Sequence, residues 1–275
     1  AIAQEGNFNG TLHLIFQPAE EGAGGALKMM ADGLFERFPC DAVFALHNMP
    51  GVESGHFVFR SGPTMASSDD VFVTLQGKGG HGAMPHQSID TLVAAASIVM
   101  ALQTIVSRNV DPQQTAVVTV GALQAGQANN VIPDQAELKL SVRALDPQVR
   151  VLLKQRILDL IQLQAQSYGV KASIDWREGY AVLVNYPQHT QLATDVALKL
   201  FGPERVTPEG PALTASEDFA FMLQQVPGCY LFVGNGGSGS PGACMVHNPG
   251  YDFNDDLIEP GAAFWLGLVQ TYLSH

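Results

Sequence analysis

Short apolar runs that end in polar or glycine-rich turns constrain this chain of 275 residues more than any other feature. TLHLIF (residues 11–16), AVFALHN (residues 42–48) and CYLFVG (residues 229–234) are too short for ordinary helices, and they are apolar almost throughout instead of alternating. Strands buried on both faces read this way, and such strands belong to parallel sheets covered by helices. Helical spacing surrounds them: Ala26, Met29, Met30 and Leu34 share one stripe, residues 187–201 are amphipathic, and residues 257–273 form a terminal helix. Ser216, followed by Glu217 and Asp218, reads as the cap of a short helix.

Between the second and third runs the pattern changes. Residues 68–179 read as strand, helix, strand, strand, helix, strand. DVFVTLQG opens this block with period-two alternation, and a helix over residues 90–107 follows from an acidic first turn. TAVVTVGAL and AELKLSVRAL are strands divided by a turn around Pro133. The second helix, over residues 147–168, has Pro147 in its first turn and Gly169 just past its end, the expected start and stop signals. KASIDWREG closes the block. This is the split βαβ, ferredoxin-like order. The expected architecture is one α/β domain in two parts, residues 1–67 and 180–275, interrupted by an inserted α+β domain at residues 68–179. The first strand lies almost at the start of the chain. Such a strand rarely opens an α/β domain, so the domain is expected to lack its N-terminal part.

Apolar residues make up 46% of the chain and charged residues 15%, enough for a sizeable core. A net charge of -12 disfavours nucleic acid and anionic membranes as partners, because both reward Lys and Arg. No apolar run reaches the ~20 residues of a membrane span. Three cysteines without CxxC spacing suit reduced thiols in the cytoplasm better than a disulfide framework.

Three strand or loop ends carry candidate chemistry. Glu20 and Glu21 follow the first strand in QPAEEG, His47 ends the second in LHN, and His247 lies far along in VHNP. Ligands in open α/β sheets collect at the carboxyl ends of strands. Of two adjacent carboxylates there, one can hold a metal while the other serves as general base. An acidic helix start and hydrogen-bonded structural histidines explain the same residues individually. In the inserted block, GKGGHGAMPH places His81 among glycines, and Asn130 and Arg143 follow. Together they could bind an oxyanion and a carboxylate; separately they read as a hairpin, a polar turn and a surface side chain.

Taken in order, QPAEEG, LHN, GKGGHGAMPH, ALQTIVSR, NNVIP and HNPGYDFND resemble the metal-dependent aminoacylase and carboxypeptidase family. The likeness is to its hippurate hydrolase, N-acetyl-diaminopimelate deacetylase and indoleacetyl-amino acid hydrolase group. The resemblance implies a zinc-peptidase-like catalytic domain with an inserted ferredoxin-like lid and dimerisation domain, and therefore a homodimer. It implies two divalent metals (Zn, Mn or Ni) and hydrolysis of the amide bond of an N-acyl or N-aroyl amino acid. Glu20 becomes the general base and acid, and Glu21, His47 and His247 become metal ligands. His81 stabilises the oxyanion in the partner subunit's site, Asn130 assists it, and Arg143 holds the substrate carboxylate. The family's upstream Cys-Gly-His-Asp-Gly-His type motif is not in this sequence. On the order of a hundred residues are therefore expected to be absent, leaving an inactive fragment with few or no metals. A dipeptidase or carboxypeptidase of the same family, and a non-catalytic fragment that self-associates through the lid, are the alternatives.

Overall fold

The computed structural model describes residue 2 and residues 8–274; residues 1, 3–7 and 275, at the ends of the two expected catalytic parts, lie outside the described residues. The chain forms two compact units. Unit 1 runs to Thr64 and continues through Leu183–Ala212 and Asp218–His275; unit 2 is Met65–Val182 with Leu213–Glu217.

Unit 1 is built on a four-stranded sheet in the order β1 (Val43–Gly51), β12 (Gly228–Gly237), β2 (Phe57–Val58), β11 (Val206–Thr207). The two long strands, β1 and β12, are parallel, with His47 opposite Phe232. Every residue of β12 is buried, as its unbroken apolar pattern requires. Helices α6 (Pro187–Phe201) and α8 (Ile258–Tyr272) supply Ala193, Val196, Phe264 and Leu268 to the core formed with Phe57, Cys229, Leu231 and Val233. Because β1 and β12 run in the same direction, their carboxyl ends lie side by side.

The expected first strand does not form. Residues 11–19 are irregular, and Leu14 and Phe16 are 73% and 86% exposed. A strand exists only as part of a hydrogen-bonded ladder, and no described strand pairs with this segment; apolar pattern alone cannot supply the partner. The helix expected from residue 23 is broken into short pieces, α1 (Glu20–Ala23), α2 (Gly25–Ala31) and α3 (Leu34–Arg37). Positive-φ glycines at 24 and 33 separate them.

Unit 2 has the ferredoxin-like order. Its antiparallel sheet runs β6 (Ala116–Ala125), β8 (Gln135–Ala144), β4 (Asp69–Gln76), β9 (Lys171–Glu178), so β4 and β6 are separated by β8 as the split βαβ requires. Helices α4 (Thr91–Asn109) and α5 (Pro147–Ser167) bury Ile98, Leu102, Ile105, Leu153, Ile157 and Ile161 against Val71, Val73, Leu138 and Leu140. By length and composition α4 is apolar and long enough to cross a membrane, although it contains no unbroken apolar run of that length. Its Ile98, Leu102 and Ile105 are fully buried in the unit's core. β6 is an edge strand with a bulge after Val120. A two-residue pair, β5 (Gly80–His81) with β7 (Val131–Ile132), joins the two glycine- and asparagine-rich segments.

Candidate metal centre and active site

The site in unit 1 is assembled from three chain segments. The first is the turn that carries the paired glutamates. Ala19 adopts a left-handed backbone (φ 54°) unusual for a residue with a Cβ, and Glu20 and Glu21 follow at once. The turn folds back so tightly that a Cβ on Gly25 would sit 1.6 Å from the Pro18 carbonyl oxygen, so glycine is required there. Asp218, fully buried, holds both flanks of this turn. Its carboxylate accepts a hydrogen bond from the Gln17 side-chain amide, and another from the Ala26 backbone N–H at 2.9 Å. Carboxylate oxygens of Glu20 and Asp218 lie within 4.8 Å of each other.

Ser216 was expected to cap a short helix containing Asp218. The helix instead begins after Asp218, at α7 (Phe219–Gln225), and carries no side-chain cap. Asp218 faces away from its own helix and serves the N-terminus of α2, whose own N-cap residue, Gly24, has no side chain. A buried carboxylate needs donors, and the first N–H groups of a helix are unpaired donors with a favourable dipole.

The second segment is the carboxyl end of β1. His47 Nδ1 lies 2.5 Å from the Asn48 carbonyl oxygen. A carbonyl can only accept, so Nδ1 carries the proton and Nε2 keeps a lone pair for a metal, the usual arrangement of a metal-ligating histidine. The third is the loop after β12. His247 also has a left-handed backbone (φ 64°), and its Nδ1 approaches Glu21 Oε2 to 3.7 Å with both side chains largely exposed. Non-glycine residues in this region cost about 1–3 kcal/mol and persist where surroundings over-determine them. The described residues have two of them, Ala19 and His247, and both lie in these segments.

Of the expected ligands, Glu21 and His247 are therefore brought together. Glu21, His47 and His247 do not gather within 4.8 Å as a closed set among the described residues. As donors the side chains fit a divalent first-row ion: carboxylate oxygen and imidazole nitrogen suit zinc or manganese, and His47 is held in the ligating tautomer.

The other three expected site residues lie in unit 2. The β5–β7 pair sets His81 opposite Val131, and the Gly82 N–H donates to the Asn130 carbonyl at 2.7 Å, so His81 and Asn130 are neighbours. The Ala83 N–H donates to His81 Nδ1 at 3.1 Å. That leaves the proton on Nε2, where an exposed imidazole can donate to an oxyanion. Arg143 Nη1 donates to the Thr214 carbonyl at 2.9 Å.

Residues 1–271 match peptidase family M20/M25/M40. The chain belongs to that family. Among M20 relatives, it is 42% identical to the hippurate hydrolase of Campylobacter jejuni over 97% of its own length and 68% of the relative's. It is 37% identical to the N-acetyl-L-cysteine deacetylase of Bacillus subtilis over 94% of its length and 60% of the relative's. The chain thus spans roughly three-fifths to two-thirds of the length of these relatives. A crystal structure of a dinuclear metal-binding M20 peptidase from Bacillus subtilis superimposes with a TM-score of 0.82 at 27% identity, covering 99% of this chain and 68% of that one. The relatives are named a hippurate hydrolase and an N-acetyl-L-cysteine deacetylase, and the family agrees with the motif reading.

Proposed function

We propose that this chain carries the chemistry of a two-metal amidohydrolase acting on N-acyl or N-aroyl amino acids. The observation that supports it most is the approach of Glu21 to His247 from distant parts of the chain, together with His47 presenting Nε2 at the end of β1. Metal binding in the related Bacillus subtilis M20 peptidase supports a divalent-ion role for these side chains.

In this reading Glu21, His47 and His247 hold the ions. Bound divalent ions would supply Lewis acidity to the scissile carbonyl and to the attacking water. Glu20 accepts the proton of the attacking water on a carboxylate oxygen and returns it to the departing amine nitrogen. His81 donates from Nε2 to the oxygen of the tetrahedral intermediate, in the site of a second copy of the chain. Asn130 supports it, and Arg143 binds the substrate carboxylate, for which its guanidinium is suited. Self-association runs through unit 2, whose β6 edge offers an unpaired ladder. Three free thiols suit a reducing cytoplasm.

The test is zinc and manganese binding by titration, with hippurate and a dipeptide as substrates. Metal binding with hippurate turnover supports the reading, and preference for the dipeptide moves it to peptidase activity. Metal binding without turnover points back to a ligand set too small for a two-ion centre. Absence of metal binding sinks it.

A further inference from the structure

The loop that carries His247 leaves β12 and returns near Asn254, and its two ends are held by one side chain. Asn235 is fully buried. Its Nδ2 donates to the Gly242 carbonyl at 3.0 Å and to the Asp252 carbonyl at 2.9 Å, using both amide protons. Its Oδ1 accepts from the Asn254 N–H at 2.9 Å, and Asn254 Nδ2 donates back to the Asn235 carbonyl at 3.1 Å. The backbone closes at the same point: a Cβ on Gly242 would lie 2.2 Å from the Asn235 carbonyl oxygen. Nine residues, 243–251, are thus pinned at both ends by a single amide.

A second tie joins this loop to β1. Asn48 Nδ2 donates to the Tyr251 hydroxyl at 2.6 Å. Asn48 directly follows His47 and supplies the carbonyl that orients the His47 ring. The Asn48–Tyr251 bond therefore links the strand end that carries one imidazole to the loop that carries the other. Within the loop the Tyr251 N–H donates to the Asn248 carbonyl at 2.9 Å, and the Gly250 N–H donates to Asn248 Oδ1 at 2.9 Å. His247, left-handed, sits immediately before this turn.

We infer that Asn235 and the Asn48–Tyr251 pair are positioning residues that fix the His247 loop and tie it to the strand end carrying His47, without touching substrate or metal themselves. The inference rests on the metal reading above. An exposed loop with a strained histidine would otherwise sample many positions, and that freedom would be lost on binding an ion. A buried amide with both of its protons committed, and a hydroxyl bridge to the neighbouring strand, fix the loop before the ion arrives. Partners behind metal ligands typically change affinity by about 10–100-fold when removed.

The experiment compares Tyr251→Phe, Asn235→Ala and His247→Ala in the full chain. Zinc affinity is read by competition with a chromophoric chelator, and amide hydrogen exchange is followed over residues 243–251 and over β1 and β12. Tyr251→Phe, which removes one hydroxyl, should weaken zinc by about 10–100-fold and speed exchange in the loop while leaving the strands as they were. Asn235→Ala should do the same more strongly; if it fails to fold, Tyr251→Phe alone decides. Wild-type zinc affinity in Tyr251→Phe, with affinity lost in His247→Ala, overturns the positioning role and leaves the metal reading standing. A wild-type chain that binds no zinc, or a His247→Ala chain that binds it equally well, overturns the metal reading and this inference with it.

Discussion

The two units cap their helices in different ways. In unit 2, α4 and α5 begin with Asp90 and Asp146, each of which accepts from the N–H groups two and three residues ahead. In unit 1, α2, α6, α7 and α8 show no side-chain cap from their own N-cap residue. The α2 N-terminus is served by Asp218, 192 positions away in sequence. The loop bearing His247 is likewise closed by a side chain on the preceding strand. The two long helices of unit 2 begin with caps that their local sequence already prescribes. Unit 1 carries Glu21 and His247 on irregular backbone, and distant polar side chains hold the segments that flank them. A rigid scaffold with functional loops has this division by necessity, since strained turns cannot satisfy their own hydrogen bonds.

The largest expected effect tests where the chemistry lies. Glu20→Gln should lower turnover of an N-acyl amino acid by about 10²–10⁴-fold while zinc binding persists; zinc lost from Glu20→Gln but kept in Glu21→Gln would reverse the division of the pair. His81→Ala, in unit 2, should cost about 10²–10³-fold in turnover with metal content and thermal midpoint unchanged. Complementation between Glu20→Gln and His81→Ala chains in mixed dimers would show that His81 serves a second copy.

The next two concern stability and sharpen the contrast between units. Unit 2 also has a buried distant ion pair: Arg150 pairs with buried Asp69 through bonds of 2.9 and 2.6 Å, and the Gly179 N–H donates to the same carboxylate. Hydrogen bonding to Asp69 pushes the Arg150 guanidinium pKa above its ordinary value. Arg150→Met should destabilise unit 2 by about 3–5 kcal/mol, because it leaves a buried carboxylate without its cation. Hydrogen exchange in β4 and β9 reads this loss separately from β1 and β12. Asp218→Ala should cost unit 1 about 1–3 kcal/mol for the buried donors it strands, with faster exchange in α2.

The smallest effect is the local counterpart. Asp90→Ala should cost about 1 kcal/mol, the usual value of an N-cap, read as a small drop in denaturation midpoint. If Asp90→Ala cost more than Asp218→Ala, the contrast between locally and distantly capped helices would fail.

Much of unit 2 was legible in the residues themselves. Period-two alternation marked β4, Pro147 and Gly169 bounded α5, and Asp90 opened α4, because each signal acts through neighbours within one turn or one strand pair. The buried strands β1 and β12 were equally readable, and the motif series identified the family that the comparison then showed. TLHLIF misled because an apolar run specifies burial only where a partner strand lies beside it. Asp218 was read as part of its own helix, since nothing in SEDF says that its carboxylate turns toward residues 17 and 26. Asn235 carried no signal at all within NGG.

The sequence by itself therefore determined most element types outside residues 11–37, the inserted ferredoxin-like order and the residue chemistry of the candidate site. Those follow from local sterics, periodicity and side-chain functional groups. Only the tertiary structure decided which of those groups meet: Glu21 with His247, His81 with Asn130, and Asp218 and Asn235 with the loops they hold. The reason is physical. A hydrogen bond between residues some two hundred positions apart depends on the packing of everything between them, and no local pattern encodes that distance.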